Sequence, residues 1–505
     1  MDCKHYSLYS YLIETRITDT VRPLRLMKHP NILFIMADDH AAHAISAYGS
    51  RINHTPHIDR IAQGGMRFDN CFCTNSICTP SRAVILTGAH SHINGVTTLG
   101  TNLDNRLQTF PKLLQQAGYQ TSIFGKWHLG EGAAHCPAGF DDWAVLPGHG
   151  NYFNSDFIFK GPDGGRTRPM PGYITDVITD LSLDWLKTRD RSRPFCQLVH
   201  HKAPHRQWLS DEAHAAMYLG ETIPEPDNLH DDYRNRAFAA EAAAMRVGTH
   251  MWWGDLGAEP NLKLPERDRQ TWAYQRYIKN YLRVVAALDD NIGRMLDYLD
   301  EEGIAEDTLV IYTSDQGFFL GDHGWFDKRF MYEESLRMPL LLRYPKEVKP
   351  GGVNSDMVSN LDFAPLFTDL AGLSTPEEFQ GRSFLPMLHG ETPADWQQSL
   401  YYRYWMNQND HNVAAHYGLR TLKHKLIYYY YDGLGLPATG KGSPDWPSLE
   451  GREPEWELFD LEKDPREMNN VINDPAYATI RRKLTGDLHR LQARYGDKPY
   501  EKDAS

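Results

Sequence analysis

The chain has 505 residues, 41% hydrophobic and 12% aromatic, which is enough for one large domain and a smaller one and excludes a disordered chain. A net charge of −13, from 53 basic and 66 acidic side chains, argues against nucleic acid or an anionic membrane as a partner. Six cysteines in so long a chain are no disulfide scaffold, and no apolar run approaches the roughly 18 residues that span a bilayer.

Residues 1–26 read as an N-terminal extension, because Met27 stands just before the first convincing strand. That stretch has no sustained apolar core of a secretory signal, so a cytoplasmic protein is expected. Asn31–Met36 is a short apolar run of the kind that makes a buried parallel strand, and Asp38 and Asp39 follow it. Adjacent carboxylates at such a strand end repel unless a cation or protons intervene, although a solvated turn has the same composition. Residues 54–65 are spaced as a helix, and Met66–Cys73 as a second strand.

Next comes Cys78–Gly88, CTPSRAVILTG. Thr79 suits an N-cap and Pro80 a first helical position, which places Cys78 just before a helix N-terminus. Free N–H groups and the dipole there favour an anion, and Arg82 adds a fixed charge one turn on. Cys71, Cys73 and Cys78 also invite a zinc or iron–sulfur reading, which lacks a fourth ligand at standard spacing. Leu107–Ala117 is spaced as a helix and Gln120–Phe124 as a strand, followed by GKWHLG with Lys126 and His128. The two point the same way if the chain stays extended. Gly139–Phe157, rich in Gly, Asn and aromatic residues, reads as a loop lining a pocket.

Pro171–Lys187 is helical and Phe195–His200 a strand, leading into His201, Lys202, Ala203, Pro204 and His205. Residues 206–269 read as a helix-leaning insertion. A long helix, Trp272–Asp300, precedes strand Thr308–Tyr312, which delivers a second acidic strand end at Asp315 and Gln316. GDHGWFDKRFMYEESLRMP follows, with Asp322, His323 and Lys328. Strand Leu340–Tyr344 and helix Asp362–Ala371 close a unit of residues 27–380. Beyond it, Ser399–Trp405, His416–Thr421 and Lys425–Tyr431 look like antiparallel strands, and a helix is expected at about residues 475–495. The expected fold is α/β: a large mixed, mostly parallel sheet flanked by helices, with a smaller C-terminal α+β subdomain (residues 381–505) containing an antiparallel sheet.

In their order, these motifs resemble those of the formylglycine-dependent (type I) sulfatases of the alkaline phosphatase superfamily, most of all bacterial carbohydrate sulfatases. The family signature is Cys-x-Pro-Ser/Ala-Arg-x-x-x-Leu-Thr-Gly, and Cys78, Pro80, Ser81, Arg82, Leu86, Thr87 and Gly88 match it. The likeness spans about residues 30–497. It implies that a maturation enzyme oxidises Cys78 to formylglycine, whose hydrated aldehyde attacks the sulfur of a sulfate ester. Asp38, Asp39, Asp315, Gln316 and the modified Cys78 would then hold Ca²⁺, with Mg²⁺ as the alternative. Gln316 stands where Asn is commoner.

The same resemblance implies that Lys126, Lys328 and Arg82 offset sulfate charge, that Asp315 accepts the nucleophile's proton, and that His205 protonates the leaving oxygen. It assigns His128 to the breakdown of the sulfated species. His201, Lys202, Asp322, His323, His411 and His416 are candidates for contact with the rest of the substrate. A sulfated sugar such as 6-O-sulfated N-acetylglucosamine is the expected substrate, and homo-oligomerisation is left open. An aryl or alkyl sulfatase, a phosphonate monoester or phosphodiester hydrolase of the same superfamily, and a non-catalytic carbohydrate binder are the rival readings.

Overall fold

In the computed structural model, the structure describes residues 29–260, 262–437 and 442–502. The expected extension at 1–26 lies outside the described residues. The scaffold is an 11-stranded mixed sheet. Its main strands are β1 (Asn31–Ala37), β2 (Met66–Phe72), β3 (Gln120–Lys126), β4 (Asp142–Leu146), β5 (Phe195–His200), β6 (Thr308–Ser314) and β7 (Arg337–Arg343). From one edge they run β2, β7, β6, β1, β5, β3, β4, with short strands added at both ends. β6, β1, β5, β3 and β4 are mutually parallel, while β7 runs antiparallel to both β2 and β6.

β1 shows why the centre is parallel and doubly covered. Ile32, Phe34 and Met36 enter one core, with Phe363, Phe367 and Phe110. Leu33, Ile35 and Ala37 enter the other, with Ile178, Ile278 and Leu282. Alternation with apolar residues on both faces requires helices on both faces. One layer contains α2 (Cys78–Thr87), α3 (Phe110–Gln116) and α6 (Phe363–Leu370); the other contains α1 (Pro56–Gln63), α4 (Ile174–Thr188) and the 36-residue α5 (Glu266–Glu301).

The C-terminal part is a four-stranded antiparallel meander, β8 (Ser399–Tyr404), β9 (His416–Thr421), β10 (His424–Tyr429) and β11 (Glu455–Asp460). Helix α7 (Ala478–Tyr495) covers it, burying Leu484, Leu488 and Leu491 against Tyr401, Leu419 and Leu426. No helix among the described residues is long and apolar enough to cross a membrane.

One stretch expected to be a loop is partly a strand. Of Gly139–Phe157, residues 142–146 form β4, parallel to β3. Trp143 and Val145 enter one core while Ala144 and Leu146 enter the other, an alternation that the surrounding Gly and Asp residues obscure. Residues 139–141 and 147–155 remain irregular, and the second of these segments borders a cleft, as expected.

Candidate active site

Strand register assembles the site. Ala37 on β1 is level with Ser314 on β6, and Met36 is level with His200 on β5. The residues that follow, Asp38, Asp315 and His201, therefore leave the sheet side by side at its carboxyl edge, where open α/β sheets bind ligands. Two glycines permit close approach there. A Cβ on Gly125 would sit 2.0 Å from the His200 carbonyl oxygen, and Gly125 has φ +106°. A Cβ on Gly317 would lie 2.1 Å from the Glu334 carbonyl oxygen.

Asp38, Asp39 and Asp315 offer carboxylate oxygens within 4.8 Å of one another, all buried. Arg82 binds one oxygen of Asp315 through Nε and Nη2, at 2.9 Å each, and the Lys126 carbonyl through Nη1 at 2.8 Å. Lys126 Nζ donates to Asp38, and Lys328 Nζ donates to Asp39 at 2.7 Å. Burial opposes ionisation of all three acids. Lys126, Arg82 and Lys328 nevertheless hold Asp38 well below the usual carboxylate range. Asp39 is pushed up to about 6, by burial and by Asp38 and Asp327 against the pull of Lys328. Asp315 is pushed up to about 7, by burial and Asp38 against Arg82.

A hard divalent cation fits this set. Asp38 Oδ1 and Gln316 Oε1 are buried without hydrogen-bond partners, while Gln316 Nε2 donates to Asp39 Oδ1 at 2.5 Å. Carboxylates that push one another's pKa upward, with an unpartnered carbonyl beside them, are the donors Ca²⁺ or Mg²⁺ takes.

Helix α2 begins two residues earlier than its sequence implies. Cys78 is its first residue, Ile77 is the N-cap, and no side chain caps it. Thr79 instead meets His128 Nδ1 through its Oγ1 at 3.1 Å. Cys78 is 1% exposed, and burial raises its thiol pKa against the pull of Lys126 and Lys328. His128 does not continue an extended chain either: its φ of 55° is left-handed, and Lys126 is the last residue of β3.

Cys78 lies in a cleft of about 750 Å³ lined also by His149, Lys202, His205, Lys328, Arg329 and His411. His205 Nε2 stands 3.8 Å from Asp39 Oδ2, and its Nδ1 is 2.6 Å from the Arg206 carbonyl. Burial, Lys126 and Lys328 all keep its imidazole neutral. Burial and the other lysines also lower the Lys202 ammonium to about 7. On the cleft wall, Asp327 accepts from Arg329 Nε at 3.0 Å and lies 3.3 Å from His411 Nε2. Trp252 and Phe153, 53% and 44% exposed, also line it.

Of the six residues expected at the substrate, Lys202 and His411 line this cleft and four do not. His201 is fully buried, with both ring nitrogens unpartnered, because its backbone N–H extends the β1 pairing and turns the ring into the protein. Asp322 pairs with His43 at 3.1 Å and lines a separate cleft. His323, at φ 55° in a tight turn, faces Asp231 at 3.1 Å. His416 is enclosed by Tyr402, Tyr404 and Tyr429. Conversely, His149, Asp327 and Arg329 escaped the sequence reading. The last two flank Lys328, and that adjacency was the available signal.

Comparison with known proteins agrees with this geometry. The sulfatase family model matches residues 30–373, and a model described as N-sulphoglucosamine sulphohydrolase, C-terminal, matches 321–434 and 450–494. An N-acetylglucosamine-6-O-sulfatase of Bacteroides thetaiotaomicron is 41% identical over 94% of this chain and 88% of its own length. A structure solved in complex with its substrate D-glucosamine-2-N,6-O-disulfate superposes with a TM-score of 0.84, at 41% identity, covering 94% of this chain and all of that one. The phosphonate monoester hydrolase of Agrobacterium radiobacter, at 21% identity and a TM-score of 0.71 over 92% of this chain and 96% of its own, shares the fold. With a family model and a 41%-identical relative both spanning most of the length, the chain belongs to the sulfatase family.

Proposed function

We propose that the protein removes the 6-O-sulfate of N-acetylated or N-sulfated glucosamine. The observation that supports this most directly is the cleft itself. Lysines and buried acids surround Cys78 at one point, while the Asp327–Arg329–His411 group offers donors and acceptors for sugar hydroxyls. Trp252 provides an apolar face for a pyranose ring. The relatives named for this sugar are consistent with it.

When Cys78 carries the formylglycine aldehyde and the acidic pocket holds Ca²⁺, they supply a hydrated-aldehyde nucleophile and neutralise sulfate charge. A maturation enzyme is the proposed source of the aldehyde. The remaining work falls to the side chains. Lys126 and Lys328 sit beside the nucleophile and offset the charge that an entering sulfate ester brings. Arg82 holds Asp315 in place, and Asp315 takes the proton released at residue 78. His205 donates a proton to the leaving sugar oxygen, a strong base that cannot depart as alkoxide. A bound sulfate offsets the two ammonium groups that keep His205 neutral, so substrate itself favours protonation of the acid. His128, with Nδ1 3.1 Å from Thr79 Oγ1, accepts a proton at Nε2 later in the cycle in the tautomer whose Nδ1–H donates to that hydroxyl.

Sulfate release from a panel of sulfated monosaccharides tests the reading. Glucosamine 6-O-sulfates, N-acetylated or N-sulfated, should turn over fastest, and chelation should abolish turnover until Ca²⁺ is restored. Faster cleavage of phenylphosphonate esters or of simple aryl sulfates, with no sugar sulfate cleaved, would overturn it.

A further inference from the structure

Arg206 follows the acid His205 in the chain and carries two separate holds, one through its backbone and one through its side chain. Its carbonyl lies 2.6 Å from His205 Nδ1 and accepts from Lys202 Nζ at 3.2 Å. An Nδ1–H given to that carbonyl fixes the plane of the ring and leaves Nε2 as the nitrogen that faces Asp39. Tyr152 donates its hydroxyl to the His205 carbonyl at 2.6 Å, which pins the same peptide from the other side.

The guanidinium end is held as firmly. Arg206 Nε donates to Asp255 Oδ1 at 2.9 Å and Nη2 donates to Asp255 Oδ2, a two-point fork on a fully buried carboxylate. Asp255 also accepts the backbone N–H of Trp252 at 3.2 Å, so the pair is tied to a residue that lines the cleft. The guanidinium carbon of Arg206 stands 4.9 Å from the centre of the Phe326 ring, and Nη1 is 3.4 Å from His411 Nε2. Phe326 precedes Asp327 in the chain, and its ring meets that of His411 edge-on at 5.5 Å.

A buried ion pair is a poor source of stability, because taking its charges out of water offsets most of their attraction. Its fork is directional, however, and direction is what a general acid needs. The proton must lie within hydrogen-bond reach of the leaving oxygen. Here the residue that supplies the acceptor for His205 Nδ1 is itself anchored by that fork.

We infer that the Arg206–Asp255 pair is a positioning device for His205, and that its contacts with Phe326 and His411 join the aim of the acid to the wall that recognises the sugar. The inference rests on the reading of the cleft given above, with His205 as the acid.

The test compares kcat and KM for a glucosamine 6-O-sulfate, cyclohexylmethyl sulfate and nitrophenyl sulfate on the matured, calcium-loaded enzyme. The alkyl ester has a basic leaving oxygen but no hydroxyls, and the nitrophenyl ester departs without a proton. Arg206→Met should lower kcat about 10- to 100-fold on the sugar and alkyl esters, and less than about threefold on the nitrophenyl ester. Asp255→Asn should give the same pattern more weakly. Arg206→Lys should recover part of the loss, since an ammonium still reaches Asp255. In a His205→Ala background, Arg206→Met should cost less than about threefold further on any ester, as expected of a residue that acts through the histidine.

Thermal melting identifies a variant that does not fold, and Arg206→Lys and Asp255→Asn then carry the comparison. Equal kcat losses on all three esters, or a rise in KM confined to the sugar ester, would overturn the role. The first result would make the pair structural and the second would make Arg206 a sugar contact. Failure of the unsubstituted enzyme to cleave the sugar ester would count against the sugar reading alone, and the alkyl and nitrophenyl esters would still decide the role of the pair.

Discussion

The imidazole of His149 stacks on that of His205, with ring centroids 4.5 Å apart and planes inclined by 23°. Its other side meets His128, centroid to centroid at 4.1 Å. His149 thus separates the two histidines given proton-transfer roles here, and its Nδ1 is buried without a partner. A loop residue in that position sets where both neighbours point.

His149→Ala should therefore lower kcat/KM for the sugar sulfate by about 10- to 100-fold, since both proton-transfer groups lose a wall. His149→Phe, which keeps a ring between them, should recover part of the loss if packing is the main role. Steady-state sulfate release measures both. An alanine variant within twofold of wild type would remove His149 from the site.

His205→Ala should harm esters in proportion to the basicity of their leaving group. A sugar sulfate should lose about 10²- to 10⁴-fold in kcat, and an activated nitrophenyl sulfate less than about tenfold. Equal losses on the two substrates would mean that His205 positions the substrate instead of protonating it.

Arg329 sits at φ 92° and binds Asp327, which is itself at φ 76°. Non-glycine residues held there mark a wall that the surroundings force into shape. Arg329→Ala should raise KM for the sugar sulfate about 10- to 100-fold while an aryl sulfate, with no hydroxyls to recognise, changes less than about threefold. A matching rise for both esters would place Arg329 at the sulfate instead of the sugar.

Asp289 gives a prediction about stability. Burial raises its carboxyl from 3.8 to about 6, against the backbone donors of Ile58 and His57. The ionised form is the disfavoured one in the folded chain. Stability linked to this group is full below about pH 3.8, where the carboxyl is protonated in both states, and is lost as pH rises towards 6. Asp289→Asn keeps an oxygen for the two N–H groups and never ionises. It should melt higher than wild type at pH 7.5 in EDTA, by an amount worth about 2 kcal/mol, and at the same temperature near pH 4. A higher melting point at both pH values would show that the charge of Asp289 is not the cause.

The central strands and the acid pairs at their ends were legible because each signal is local. A run such as NILFIM must be buried, and carboxylates next to it need compensation. CTPSRAVILTG and GKWHLG were legible for the same reason. What failed depended on which way a chain turns after leaving the sheet. Asp322 and His323 are near Lys328 in sequence, but a turn through φ 55° sends them to other partners. His416 looked polar and is enclosed by tyrosines, because β9 lies between β8 and β10. His149 lies in a loop whose composition did suggest a pocket lining, but nothing local singled out its ring, since the neighbours it stacks on come from two other loops.

The central position of β1 has a consequence for synthesis. Its two partners enter the chain late: Asn31 bonds Phe195, 164 residues on, and Thr308, 277 residues on. A nascent polypeptide that has emerged only through α5 has Asp38 and Asp39 in hand but not Asp315, and one flank of its middle strand is bare. Affinity for a divalent cation in such a truncated product should be weak, because the Asp38–Asp39–Asp315 group is complete only once β6 docks. Until then that exposed flank is a ready template for pairing with the wrong chain.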